Sequence, residues 1–371
     1  MEIYIITLLF IFVFGILDLR LKLTDRERNC LALILYVLIV VQIGLRWETG
    51  TDWESYLVNF QNTGQYGTVL INALIGFEIG YGTLVYFIKK LFNNYSVFLF
   101  IHALVFYWGI FSVAKKNSPY FFISLMFFYA TNLGLVGSNR QLLALAICLW
   151  ALNYVFEKKP LKFFAIVGAA FLFHTTAFLF GVYYFLDRNF KKWVVISVLV
   201  ISFIIGKTEL PFILFQKFGG LFGELAAAKT DAYSEGVEDA LGEVSLSVFG
   251  LLKRLVFIAF FTYNYSFLSK KLTYYKLLYN GYVLGMVIYF LFASSLLIIV
   301  NRGSIYFNIM ESLLISCQFL VFSKRLDKTY VFFILLFVSI LFLFQSISGY
   351  PDLFVPYKGL FYNVDVARKI H

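Results

Sequence analysis

Residues 31–56 read LALILYVLIVVQIGLRWETGTDWESY. The run 31–45 is almost wholly apolar, and the segment that follows it at once carries Arg46, Glu48, Asp52 and Glu54 among Trp47, Trp53 and Tyr56. Charge placed where a helix leaves lipid is costly unless it is paired, solvated or used. The apolar half of the stretch therefore points to a membrane helix, and the polar half to something built at its end.

Composition extends the first point to the whole chain. Of 371 residues 61% are hydrophobic and 14% charged, with a mean hydropathy of +0.82. The apolar residues come in long runs rather than short alternating blocks, which favours helices over a barrel. The first run, 3–17, lacks a basic leader and a small-residue cleavage site, so it is expected to be a retained span. Candidate spans are 3–17, 31–45, 95–113, 120–135, 140–156, 161–173, 175–186, 193–206, 248–268, 274–300, 304–322 and 330–345. The expected fold is an all-α polytopic membrane protein of about twelve spans, some short or re-entrant. It forms a single domain over 1–371, with a motif-bearing loop over 46–80 and a polar insertion over 207–247. Within that insertion the acidic stretch 224–243 reads as amphipathic helix plus loop.

The net charge of +10 does not argue for nucleic acid, because Lys and Arg sit in short loops between apolar runs. Six basic clusters mark one side: Arg20/Lys22/Arg26/Arg28, Lys115/Lys116, Lys158/Lys159/Lys162, Arg188/Lys191/Lys192, Lys270/Lys271/Lys276 and Lys324/Arg325/Lys328. If all six are cytoplasmic, an even number of crossings separates each from the next. Residues 161–186 must then be a hairpin of two short helices turning at His174-Thr175-Thr176. Each arm rises only ~18 Å, against a hydrocarbon core of ~30 Å. By the same parity 80–92 is expected to be a re-entrant or interfacial helix, a form tolerated where it lines a cavity.

This arrangement puts Arg46, Arg140, His174 and Arg302 on the external face, each at a helix end. Arg140 and Arg302 each follow a small polar turn and are expected to open an apolar helix, where free N–H groups and a guanidinium together make a phosphate site. The competing role is snorkelling to lipid headgroups. His174, flanked by hydroxyls, fits a general base or a sugar hydrogen-bonder, and equally a buried structural histidine. His102, within a span and without polar neighbours, reads as structural. Asp52 and Glu78 are the external carboxylates closest to spans, able to deprotonate a hydroxyl or to orient an arginine. Glu48 and Glu54 read as solvated loop charges. Trp47, Trp53 and Tyr56 fit interfacial anchoring or stacking on a sugar face.

Other chemistries find no support in the sequence. Cys30, Cys148 and Cys317 are isolated, and the histidines show no metal-ligand spacing, so neither metal nor cofactor is expected. There is no P-loop and no Gly-x-Ser-x-Gly elbow. Charges in mid-span, expected of an ion-coupled transporter, are almost missing.

The segments Arg46…Gly50-Thr51-Asp52-Trp53…Tyr56, Glu78-Ile79-Gly80-Tyr81, Asn139-Arg140-Gln141…Ala144, Phe173-His174-Thr175-Thr176-Ala177, Asn301-Arg302…Tyr306-Phe307 and Pro356-Tyr357 together resemble the EpsG family of polysaccharide-polymerising membrane proteins, within the Wzy-like class. Each match is short, and specificity lies in their order along most of the chain. Thr175-Thr176 departs from the serine common in the family, and 224–243 follows no family pattern. The resemblance implies a GT-C-like enzyme of the bacterial inner membrane, active on its outer face in O-antigen, capsule or exopolysaccharide synthesis. Its substrates would be oligosaccharide repeat units on undecaprenyl diphosphate, with membrane lipids and a chain-length regulator as further partners. Arg46, Arg140 and Arg302 would bind the diphosphate. Asp52 would be the base, with His174 or Glu78 as alternatives or orienting partners. Trp53, Tyr56, Tyr81 and Tyr357 would contact glycan. An O-antigen ligase and a flippase of lipid-linked sugar are the alternatives. A flippase calls for basic residues along a central path, whereas these lie at one rim.

Overall fold

A computed structural model describes residues 1–21, 23–74, 76–219 and 248–361. Among them the chain is helical, with one isolated antiparallel bridge between Arg46 and Gly359. The expected helix in the acidic stretch 224–243 lies outside the described residues. Those described fall into two compact units, Met1–Gly181 with Ser312–His371, and Val182–Glu311.

The first unit begins with α1 (Glu2–Leu21) and α2 (Asp25–Gly44). A reciprocal capping box starts α2: Thr24 Oγ1 accepts from Glu27 N at 3.3 Å, and Glu27 Oε2 from Thr24 N at 2.8 Å. The expected loop 46–80 is itself largely helical, holding α3 (Trp53–Asn62) and α4 (Tyr66–Leu74). Next comes α5 (Ile79–Phe92), whose 14 residues rise about 21 Å. The long α6 (Tyr95–Asn117) starts at Asn94, whose side chain accepts from Ser96 N and Val97 N. The core lies around α7 (Phe121–Asn132), buried at every residue from Phe121 to Ala130 and packed on α1. A helix apolar on all sides has no face for water. α8 (Asn139–Phe156) packs between α6 and α9 (Pro160–Phe171).

The chain reverses after α9, as parity requires. Phe163 stacks on Phe180 with ring centroids 6.3 Å apart, a contact that a continuous helix would forbid. The second arm, Thr175–Phe185, is a 3₁₀-helix rather than an α-helix. Its buried positions His174, Ala177, Phe180 and Tyr183 recur every third residue, the row that eclipsed i,i+3 side chains make.

The second unit holds α10 (Lys192–Gly206), α11 (Leu210–Gly219), α12 (Val248–Tyr263), α13 (Tyr265–Lys271) and α14 (Tyr275–Phe292). The expected spans 274–300 and 304–322 are broken into shorter pieces. After α14 come α15 (Leu297–Gly303), α16 (Ile305–Asn308) and α17 (Met310–Gln318). The breaks fall near the small polar residues Ser294, Ser295 and Ser304, and the Ser304 hydroxyl donates to Val300 O, a carbonyl of the preceding turn. The last long helix, α18 (Arg325–Ile347), returns to the first unit and packs on α7 and α1.

Among the described residues, five helices are long and apolar enough to cross a membrane: α1, α2, α6, α14 and α18. Their exposed faces are apolar at helical spacing, as at Ile6, Phe10 and Val13 of α1 or Ile334, Phe337 and Leu341 of α18. Stripes of that kind face lipid, and the protein is a multi-pass membrane protein.

Candidate active site

The segment after α2 is held by the far end of the chain. Trp47 N donates to Lys358 O at 3.0 Å and Leu360 N to Leu45 O at 2.8 Å, the pairing that forms the Arg46–Gly359 bridge. Glu48, expected as a solvated charge, accepts from Lys358 Nζ at 2.6 Å. Lys358 is buried, and nothing in its sequence neighbourhood announced the pair.

Arg46 is only 2% exposed. Its Nη1 donates to Ile43 O at 2.8 Å and its Nη2 to Asn139 Oδ1 at 2.9 Å. No carboxylate pairs with it among the described residues. Burial pushes its pKa down, opposed by tyrosines including Tyr95 and Tyr107, but a guanidinium stays charged at neutral pH. A side chain so enclosed is not placed to bind a diphosphate. It fixes the first turn of α8 through Asn139. Asn139 also accepts, through its carbonyl, from His102 Nε2 at 2.9 Å, so His102 does have a polar partner.

Two glycines let the loops that carry these residues meet. Gly50 (φ +96°) and Gly137 (φ +123°) lie against each other, and a Cβ on Gly50 would stand 2.3 Å from Val136 O. Only glycine takes these angles without strain and leaves room for the opposing backbone.

Arg140, in the first turn of α8 as expected, lies one residue beyond Asn139. Its Nη1 donates to Gly76 O at 2.6 Å and to Glu78 Oε2 at 2.7 Å, and its Nε to Tyr56 Oη at 3.4 Å. The guanidinium also lies 4.6 Å from the centre of the Phe77 ring. Nη2 has no partner among the described residues, so its two N–H groups remain for a ligand. Glu78 is spent on both oxygens, since Oε1 accepts from Thr175 N at 3.2 Å at the hairpin tip. That suits an orienting carboxylate better than a base. Gly80 makes the approach possible, because its N–H donates to Leu172 O at 2.8 Å and a Cβ would stand 2.7 Å from that oxygen.

His174 is buried in the same tip. Its Nδ1 accepts from Thr176 N at 3.3 Å and lies 2.7 Å from Thr176 Oγ1. With the lone pair of Nδ1 so engaged, the neutral ring carries its proton on Nε2 and is a donor there. A general base at Nε2 would need the opposite tautomer.

Asp52 differs from Glu78 and His174 in being open. It stands at the start of α3, and among the described residues its carboxylate accepts one bond, from Thr51 Oγ1 at 3.2 Å. With Glu54, Ser55, Asn59, Asn72 and Phe77 it lines a polar cavity of about 530 Å³. Phe77 thus borders both this cavity and Arg140. Tyr56, whose hydroxyl touches Arg140, feels both that charge and the charge of Asp52.

The aromatic residues assigned to glycan are placed otherwise. Trp53, Tyr56 and Tyr81 are buried in one cluster with Tyr95 and Phe98, their faces covered by other rings. Tyr357 donates to Gln42 O at 2.7 Å and packs its ring on Tyr4. Trp53, Tyr56 and Tyr81 are packed together because α3 lays its apolar face on α5. Polar residues of α3, notably Asn59 and Ser55, reach the cavity; only their i,i+4 spacing within WESYLVNFQN could have suggested it.

Arg302 belongs to the second unit, in the last turn of α15 rather than at a helix start. A cation there complements the carbonyl end of the helix dipole.

No curated protein and no solved structure matches the chain. A family model does, over residues 29–359, and it takes in Arg46, Asp52, Glu78, Arg140 and His174 together. The chain belongs to the EpsG family, a family of Wzy-like polysaccharide polymerases.

Proposed function

We propose that this protein polymerises oligosaccharide repeat units carried on undecaprenyl diphosphate, at the outer face of the bacterial inner membrane. The growing glycan leaves its lipid diphosphate and joins a hydroxyl of the next lipid-linked unit. One observation carries the reading: Arg140, clamped by Glu78 and Gly76 with Nη2 open, beside an Asp52-lined polar cavity.

In this scheme the acceptor hydroxyl attacks the anomeric carbon as the bond to the diphosphate oxygen breaks. Asp52 takes the hydroxyl proton. Arg140 stabilises the negative charge gathering on the departing diphosphate, where preorganised donors act most strongly. Glu78 holds the guanidinium in place, while Arg46 supports it from beneath through Asn139. Family membership, the rim placement of the charges and the lipid-facing helices support this reading over a flippase.

The test is polymerisation with purified protein and lipid-diphosphate repeat units in detergent, resolved as a ladder on a gel. Arg140→Ala is expected to slow elongation by about 10²–10³-fold, the usual effect of removing one such donor. A ladder that survives the substitution removes the proposed site, and a flippase would give no ladder even from the wild type.

A further inference from the structure

The polar cavity beside Arg140 has a charge pattern that narrows what can enter it. Helix α3 sends two rows of side chains to two places. Trp53, Tyr56 and Phe60 are buried against α5, while Ser55, Asn59 and Asn62 recur at i, i+4 and i+7 and line the cavity. Asn72 of α4 and the Phe77 ring add to the wall. The charged residues of that wall are Asp52 and Glu54, both acidic. Among the described residues neither forms an ion pair, and no lysine or arginine lines the cavity. Two cations of the same unit belong to other contacts, since Arg140 is paired with Glu78 and Lys89 of α5 donates to Gln61 O.

Asn59 is an independent sign that something polar and uncharged is received here. It is 8% exposed, it lines the cavity, and its Oδ1 has no partner among the described residues. A buried amide oxygen is costly unless a donor reaches it. Sugar hydroxyls are donors of that kind, and the Phe77 ring suits the C–H face of a sugar.

We propose that the acceptor sugar, whose hydroxyl is glycosylated, bears no negative charge, and that Glu54 and Asp52 exclude uronic acids and sulfated or phosphorylated sugars from this position. The inference rests on the polymerase reading and adds to it a class of acceptor. Carboxylates and sulfates are recognised by arginine or lysine donors. An anionic sugar would find none in this wall and would meet two like charges instead. Repulsion over a few ångströms in a half-solvated cavity disfavours it by about tenfold. Neutral hydroxyls meet no such penalty and have Ser55, Asn59, Asn62 and Asn72 to bond.

The test begins with a bacterium that encodes this protein and a strain deleted for its gene. Linkage analysis of the wild-type polymer, set against the single unit that the deletion strain accumulates, identifies the acceptor sugar and the hydroxyl used. A neutral or amine-bearing sugar is expected; a uronic acid, sulfate or phosphate on it overturns the proposal. Polymer that persists in the deletion strain is a separate outcome, which overturns the polymerase reading and this inference with it. The full-length protein in nanodiscs is then given the isolated lipid-linked unit and a counterpart sulfated on the acceptor sugar, at a hydroxyl that is not glycosylated. Elongation of the sulfated unit is expected to be about tenfold slower. Glu54→Gln should narrow the ratio of the two rates to about threefold, and added salt should narrow it in wild type. Equal rates in wild type overturn the proposal. So does a penalty that Glu54→Gln and salt both leave intact, which would be one of bulk and not of charge.

Discussion

At Glu78, Asp52 and Arg46, burial and hydrogen bonding separate side chains that the bare sequence leaves equivalent. Glu78 has both oxygens bound and Arg46 is enclosed, so each acts on its neighbours. Asp52 holds a single hydroxyl contact and faces a cavity. A group with so few native bonds contributes little to stability, whereas a base contributes heavily to rate. Asp52→Asn is therefore expected to cut elongation by about 10²–10⁴-fold, the range for general-base removal. Its melting temperature in detergent should stay within about 2 °C of wild type. An active Asp52→Asn would transfer the base to another group; a large fall in melting temperature would make Asp52 structural.

Among the elements, the hairpin 160–185 shows what sequence patterning reaches and where it stops. Basic residues at both ends require a reversal, and the contact of Phe163 with Phe180 supplies it. The stretch after His174 is apolar almost throughout, so no polar face reveals whether its period is 3.0 or 3.6 residues. Its 3₁₀ character emerges only from which residues are buried. Phe180 is fully buried in that row and stacked on Phe163. Phe180→Ala is expected to cost about 3–5 kcal/mol through the cavity it leaves, read as lowered resistance to chemical or thermal unfolding in detergent. Because the hairpin tip carries Thr175 against Glu78, elongation should fall as well. A Phe180→Ala protein of unchanged stability would mean that the two arms are not packed as described.

For the whole molecule, the helical class and the polar rim were legible because they depend on composition and on residues close in sequence. Arg46 shows the opposite case. Its burial depends on residues 358–360 pairing with 45–47, an approach no local pattern encodes. The break before α15 was hidden too, since Ser294 and Ser295 sit inside an otherwise apolar run. Orientation is the property of the whole chain for which local signals make a prediction. α8, which is not one of the five helices named above, runs from Asn139 to Phe156 and packs against α6, which is; its 18 residues rise about 27 Å. Lys158, Lys159 and Lys162 follow its far end, which the positive-inside bias assigns to the cytoplasm. The Arg140 end, and with it the Asp52 cavity, is therefore predicted to face outward. The prediction is read by cysteine labelling in a Cys30→Ser background, because Cys30 is exposed while Cys148 and Cys317 are buried. Ser55→Cys, in the cavity wall, should react with a membrane-impermeant maleimide on intact spheroplasts. Lys158→Cys should react only after the membrane is opened. Labelling of Ser55→Cys confined to opened membranes would invert the chain, and would leave a polymerase acting on outward-facing substrates without access to its proposed site.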